Sequence, residues 1–335
     1  MITLGAMRLS PRLVVLPVAG VVLTAAVAAA PASAAAAPAR AAAITPASLA
    51  SLEATTPAPT GVAALGAYLA DAGTGQKLWG RDPNTKRPMG SITKVMTALI
   101  VIQAGNLARK ITVSAAAVTY VANHGASTAG LRAGDVLTAR QLLNAMLLPS
   151  GSDAAFVLAT AYGPGRTAFV AKMNAEAKQM GLTKTHFSNF DGLPYPTPRA
   201  TYSTPADLIT LGRAAMALAA FRTDVDRQTY HLASGTGHQA YTWHNTNLLL
   251  GSYAGADGIK TGFTAAAGEC LLFEANSGTS TLIGVVLHST AANPNRRFTD
   301  AAAMLNWGFG GAVAASPLAG TPGPPSPGTA APRPG

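Results

Sequence analysis

Ser91-Ile92-Thr93-Lys94 is the stretch that most constrains this chain. A hydroxyl and an amine stand three residues apart at the start of an apolar run, residues 95–102, that reads as a helix ending before Gly105. Residues i and i+3 are neighbours on a helix surface, so Ser91 and Lys94 share a face. A serine hydroxyl is a weak nucleophile until a base takes its proton, and a neutral lysine one turn away is such a base. Taken alone, the tetrapeptide is commonplace on exposed helices. Two further groups change its meaning. Ser150-Gly151-Ser152 follows 59 residues on (150 − 91), and Lys260-Thr261-Gly262 follows 110 residues beyond that (260 − 150). If the three act together, the fold must bring them to one place.

The ends of the chain read differently from its middle. Residues 1–34 carry Arg8 and Arg12, an apolar stretch and Ala32-Ser33-Ala34, the pattern of a secretory signal; an uncleaved membrane anchor is the alternative. Residues 35–60 are rich in Ala, Pro, Ser and Thr and read as a linker, and residues 311–335 read as a disordered Pro/Gly tail. Residues 61–310 remain for one large two-lobed domain. The formal net charge of +10 falls to +8 without Arg8 and Arg12, because residues 1–34 hold no acid. A basic exported protein suits an anionic cell envelope. Its charges are scattered and no aromatic-basic platform accompanies them, which argues against nucleic acid. Cys270, the only cysteine, lies in an apolar segment and reads as a buried thiol. The six histidines are dispersed, with no H-E-x-x-H or paired-cysteine arrangement, so no metal or other cofactor is expected.

The coarse pattern is two strands (65–71 and 77–81), a helical middle (114–122, 139–148, 153–162, 167–180 and 205–218), three strands (259–264, 269–275 and 279–288) and a closing helix (295–307). Short connections make the last three strands an antiparallel meander. Two strand groups split by helices can rejoin as one sheet, with the helical block as a second lobe.

An S-x-x-K, an S-x-polar and a K-T-G in this order form the motif set of penicillin-binding proteins and class A β-lactamases. The longer matches narrow the resemblance. Pro88-Met89-Gly90-Ser91-Ile92-Thr93-Lys94, Met146 to Ala155, Asp191-Gly192-Leu193-Pro194, Asn245-Thr246-Asn247 and Asp257-Gly258-Ile259-Lys260-Thr261-Gly262-Phe263-Thr264 resemble the serine D-alanyl-D-alanine carboxypeptidases. These are the low-molecular-mass penicillin-binding proteins of peptidase family S11. The resemblance implies an α+β fold of the serine β-lactamase and penicillin-binding-protein transpeptidase kind: an antiparallel sheet flanked by helices, plus an all-helical lobe. It also implies roles. Ser91 would attack the penultimate D-alanine carbonyl of a peptidoglycan stem peptide ending in D-Ala-D-Ala, with Lys94 as base. Ser150 would pass a proton to the leaving D-alanine, aided by Lys260. Lys260 and Thr261 would hold the terminal carboxylate, with Arg297 a further candidate. The backbone N–H groups of Ser91 and Phe263 would form the oxyanion hole, and Gly262 would let substrate approach the strand. β-Lactams would be covalent inhibitors, and an exported, cell-wall monomer is expected.

Ser152 departs from the family, which usually has Asn there. It reads equally as a substrate contact or as the N-cap of the helix from Asp153. None of Glu53, Glu176, Glu269 and Glu274 sits in an E-x-x-x-N loop, which argues against class A β-lactamase activity. Carboxypeptidase and transpeptidase differ only in the acceptor, water or an amine, and both stay open. A non-catalytic penicillin-binding envelope protein is the reading from another class.

Overall fold

A computed structural model describes residues 58–290 and 293–310. The leader, most of the linker and the Pro/Gly tail inferred from the sequence lie outside the described residues. In chain order the elements are strands β1 (Gly66–Asp71) and β2 (Lys77–Arg81), a 3₁₀ turn (Gly90–Thr93), helix α1 (Lys94–Ala104), strand β3 (Lys110–Thr112), helix α2 (Ala115–His124), strand β4 (Val136–Thr138) and helices α3 (Ala139–Leu147), α4 (Ser152–Tyr162), α5 (Arg166–Gln179), α6 (Pro205–Met216) and α7 (Ala219–Val225). Strands β5 (Thr229–Leu232), β6 (Tyr241–His244), β7 (Ala256–Thr264), β8 (Gly268–Ser277) and β9 (Ser280–Leu287) and helix α8 (Arg296–Gly308) follow.

One antiparallel sheet has the order β2-β1-β9-β8-β7. The first hairpin closes against the last strand in register, from Gly66 opposite Leu287 to Asp71 opposite Leu282. Strands at the two ends of the sequence thus rejoin, and the helices between them form the second lobe, as the element order implies. The run Cys270-Leu271-Leu272-Phe273 in β8 is buried on both faces of the sheet. Successive side chains of a strand point to opposite sides, so one run feeds two cores. Leu271 and Phe273 pack with Phe298, Ala301, Met304 and Leu305 of α8. Cys270 and Leu272 pack with Leu208, Leu211 and Ala215 of α6 and with the helical lobe beyond. Cys270 is wholly buried, and desolvation pushes its thiol up to about 12, which fits an inert core residue.

Caps explain where several helices begin. Ser114 accepts from the Ala117 amide ahead of α2. Thr138 and Gln141 form a reciprocal capping box on α3. Thr204 caps α6, with Pro205 opening it and Asp207 in its first turn. Three expectations need correction. Ser91 lies in the 3₁₀ turn rather than in the α-helix, which starts at Lys94. The helix expected over 205–218 ends at Met216, and a separate short helix, α7, follows it. Ser152 is not an N-cap: Gly151 holds that position and α4 begins at Ser152 itself.

The segment that leads into β1 is anchored to α8 by Asp300, whose carboxylate is fully buried and accepts from the Ala63 and Ala64 amides, both at 2.9 Å, and pairs with Arg296. A buried donor that loses its partner costs about 1–3 kcal/mol. Asp300→Ala should therefore lower unfolding free energy in urea by about 2 kcal/mol or more; a loss below about 0.5 kcal/mol contradicts this assignment.

Candidate active site

The nucleophile candidate sits on the turn that feeds α1. Thr93 Oγ1 donates to the Gly90 carbonyl at 2.9 Å and so fixes the turn from within. Ser91 is half-buried, while Lys94 is among the most deeply buried side chains. Lys94 Nζ lies 2.9 Å from Ser91 Oγ and 3.2 Å from the Asp191 carbonyl oxygen. As an ammonium it donates to the serine; as a free amine it can accept the serine's proton across the same contact.

The second group lies between α3 and α4, where the chain turns sharply and Ser150 takes a left-handed backbone conformation, φ 65°. The Ser150 and Ser152 hydroxyls are buried and have no hydrogen-bond partner among the described residues. Asp153 beside them accepts from Thr128 Oγ1 and from the amides of Ala129, Leu131 and Ala154. That carboxylate ties the 128–131 loop to the start of α4. With Asp153 organising the loop and Gly151 at the N-cap, the Ser152 hydroxyl caps nothing and is left facing its surroundings unmatched.

The third group is on β7, at the edge of the sheet. A Cβ built on Gly262 would sit 2.2 Å from the Met89 carbonyl oxygen, and one on Gly90 would sit 2.7 Å from the Phe263 nitrogen. No side chain fits at either place, so the turn bearing Ser91 lies directly on the K-T-G strand. This contact sets the Ser91 turn beside the Phe263 amide. The Phe263 side chain itself is half exposed. Lys260 is buried and donates to the Thr261 carbonyl at 3.2 Å and to Thr261 Oγ1 at 3.3 Å. Thr261 Oγ1 meets Thr246 Oγ1 at 2.7 Å, and the Thr246 amide donates to the Leu148 carbonyl at 3.0 Å. Through Thr246, the strand is linked to the turn that carries Ser150. Arg297 forms a close ion pair with Glu269 and reaches toward the Gly262 carbonyl. It is therefore already engaged by a carboxylate of its own chain.

The electrostatics follow from burial. Desolvation lowers Lys94 to about 8, against the opposing pull of the Asp191 and Asp153 carboxylates. Lys260 is driven well below the ordinary lysine value, first by desolvation and then by repulsion from Lys94 and Arg297. The repulsion between the two lysines thus falls on Lys260 rather than on Lys94. Desolvation raises Glu269 to about 7 despite its arginine.

Four residues join the site that the sequence left without roles. Asp191 supplies a carbonyl to Lys94, Thr246 bridges two motifs, Glu269 holds Arg297, and Tyr120 donates to an Asp191 carboxylate oxygen at 3.1 Å. Asp191 and Thr246 lie inside the matched segments Asp191-Gly192-Leu193-Pro194 and Asn245-Thr246-Asn247, which is the signal that could have found them. A cavity of about 770 Å³ opens not at Ser91 but behind the Asp191 loop, between Tyr120, Phe156, Arg166 and Tyr195.

Comparison with known proteins bears on this geometry. The model of the D-alanyl-D-alanine carboxypeptidase family, peptidase S11, matches residues 53–291. A D-alanyl-D-alanine carboxypeptidase of Streptomyces sp. (strain K15) is 41% identical over 78% of this chain and 92% of that relative. The carboxypeptidase DacB2 of Mycobacterium tuberculosis is 36% identical over 72% of this chain and 80% of its own length. Among solved structures, the Streptomyces K15 DD-transpeptidase superposes with a TM-score of 0.70 at 42% identity, covering 74% of this chain and 98% of that one. The α+β architecture is that of these DD-peptidases. With its site and its sequence pointing the same way, the chain belongs to the D-alanyl-D-alanine carboxypeptidase family, peptidase S11.

Proposed function

We propose that this protein is an exported cell-wall serine DD-carboxypeptidase that removes the terminal D-alanine of peptidoglycan stem pentapeptides through an ester on Ser91. The observation that carries the reading is the 2.9 Å contact between Ser91 Oγ and a buried lysine whose proton affinity has fallen to about 8. As Oγ bonds to the penultimate carbonyl carbon, its proton passes to the Lys94 amine. The Ser91 and Phe263 amides stabilise the oxyanion, a contribution worth about 10²–10³ in rate per donor in such sites. When the C–N bond breaks, the departing D-alanine amine takes a proton through the Ser150 hydroxyl, with Lys260 beside it. Water then attacks the ester and restores Ser91. Lys260 and Thr261 receive the substrate's terminal carboxylate; that anion supplies the counter-charge the buried ammonium otherwise lacks. Gly262 admits the Ser91 turn against the strand rather than the peptide expected from the sequence, and Ser152 offers a shorter, single-donor side chain than Asn would. Arg297 assists from behind the strand, through its pairing with Glu269 rather than as a free cation.

A second reading has a specific basis. The solved Streptomyces relative is described as a DD-transpeptidase, so an amine in place of water is a credible acceptor for the same ester. β-Lactams, which mimic the acyl donor, acylate Ser91 under either reading.

Two outcomes are expected. Incubation with benzylpenicillin should raise the intact mass by one antibiotic per chain, and Ser91→Ala should show no adduct; an adduct on the Ala variant contradicts the assignment. D-alanine release from a synthetic pentapeptide, with and without an added amine, then separates hydrolysis from transfer. The acylation rate should also depend on pH. The base works as the free amine, so the rate should climb about tenfold per pH unit below about 8 and level off above it. A flat profile between pH 6 and about 9 contradicts Lys94 as the base.

A further inference from the structure

We propose that Tyr120 is a positioning residue for Lys94, acting through Asp191: its hydroxyl fixes the Asp191 carboxylate, which turns the Asp191 carbonyl toward the lysine amine and screens the carboxylate's charge from it. The inference rests on Lys94 being the general base.

The segment from Asn189 to Leu193 is strapped to α1 at two successive carbonyls. Thr97 Oγ1 donates to the Phe190 carbonyl at 2.6 Å, and Lys94 Nζ donates to the Asp191 carbonyl. Lys94 and Thr97 are three residues apart on α1, so they point the same way. Gly192 lies against the nucleophile's turn: a Cβ there would sit 2.0 Å from the Gly90 carbonyl oxygen, and its φ is +86°. The loop thus touches the turn of Ser91 and the amine of Lys94 at once. Asp191 is buried, and its carboxylate has two partners. The Leu193 amide donates to Oδ1 within the loop, and the Tyr120 hydroxyl donates to Oδ2 from α2. Tyr120 is the tie that comes from another element of the fold. Its ring packs against Phe156 and Phe190, so the hydroxyl is aimed by the core. Burial, followed by the Asp191 carboxylate, pushes the phenol above its ordinary range, so it remains a donor at any working pH.

The charges around this relay come from five elements. Lys94 faces Asp191 from the loop, Asp153 from α4 and Lys260 from β7, with Arg297 of α8 beyond Lys260. Tyr120 faces Asp191, Arg166 of α5 with its guanidinium 6.0 Å from the ring, the His124 ring at 4.4 Å, and Tyr195. The Asp191 carboxylate raises the proton affinity of Lys94, and a hydrogen bond that draws density away from that carboxylate weakens the effect. Removing the bond therefore makes Lys94 harder to deprotonate. Removing the carboxylate's charge makes it easier.

Tyr120→Phe deletes the hydroxyl and keeps the ring. Acylation by a fluorescent penicillin, followed against pH, should show the acid limb of Tyr120→Phe moved upward by about half a pH unit, and that of Asp191→Asn moved downward. The double variant should titrate with Asp191→Asn, because Tyr120 acts through that carboxylate. A Tyr120→Phe limb that stays at the wild-type position or moves down overturns the proposal, as does a further upward shift in the double variant. A fall in melting temperature without a shifted limb does the same, since it marks a packing role only. If the wild type itself lacks an acid limb, Lys94 as the base fails, and that outcome is distinct from an unshifted Tyr120→Phe.

Discussion

Two buried lysine side chains lie close enough to repel one another, and the chemistry of the site depends on their not both being charged. Two like charges about 4 Å apart repel by about 4 kcal/mol even at an effective dielectric of 20, and each buried ammonium also forfeits its hydration. Around Lys94 and Lys260 the protein places carbonyl oxygens and hydroxyls, with carboxylates one step removed. Such groups can hold a proton donor in place without stabilising its charge fully. The outcome is an amine that can take a proton from Ser91, beside a second amine whose charge awaits an anion.

The fold brings this about by making one edge of the sheet the floor of the site. Among the described residues strand β7 has no sheet neighbour on its outer side, and there the Ser91 turn rests on Gly262 while Gly90 accepts the close approach of Phe263. The helical lobe, inserted between the two halves of the sheet, delivers the Ser150 turn through the Leu148–Thr246–Thr261 chain of hydrogen bonds. The Asp191 loop closes the other side. The nucleophile–base pair, the Ser150 turn and the anion-binding strand therefore come from separate stretches of chain, held by the hydrogen bonds through Thr246 and by backbone contacts too close to admit a side chain. Rigid support of this kind is what acyl transfer needs, because the donors must already point at the place where charge develops.

The main architecture was legible in the sequence for a physical reason. Long strands with apolar runs, such as Cys270 to Phe273, and helices opened by Ser114, Thr138 and Thr204 carry periodic and capping signals that survive without tertiary context. The ribbons β3–β4 and β5–β6 and the short helix α7 were not, because three to seven residues are too few to show a period. Ser91 and Lys94 were legible as a pair, although the turn that joins them is 3₁₀ rather than α. Ser152 was misread as a possible cap because its side chain type fits one; Gly151 takes that place. Tyr120 and Glu269 left no local mark. Each matters through a partner far along the chain, 71 residues away for Tyr120 and Asp191, and nothing in a single sequence reports such a pairing.

The most direct test is to titrate the Lys94 side chain itself. In protein carrying labelled lysine, the Nζ and Cε resonances of Lys94, assigned with Lys94→Gln, are followed from neutral to alkaline pH. A midpoint at about 8 is the expected result. A midpoint at the ordinary lysine value of 10.5 would contradict the account, because Ser91 would then face an ammonium throughout the working range.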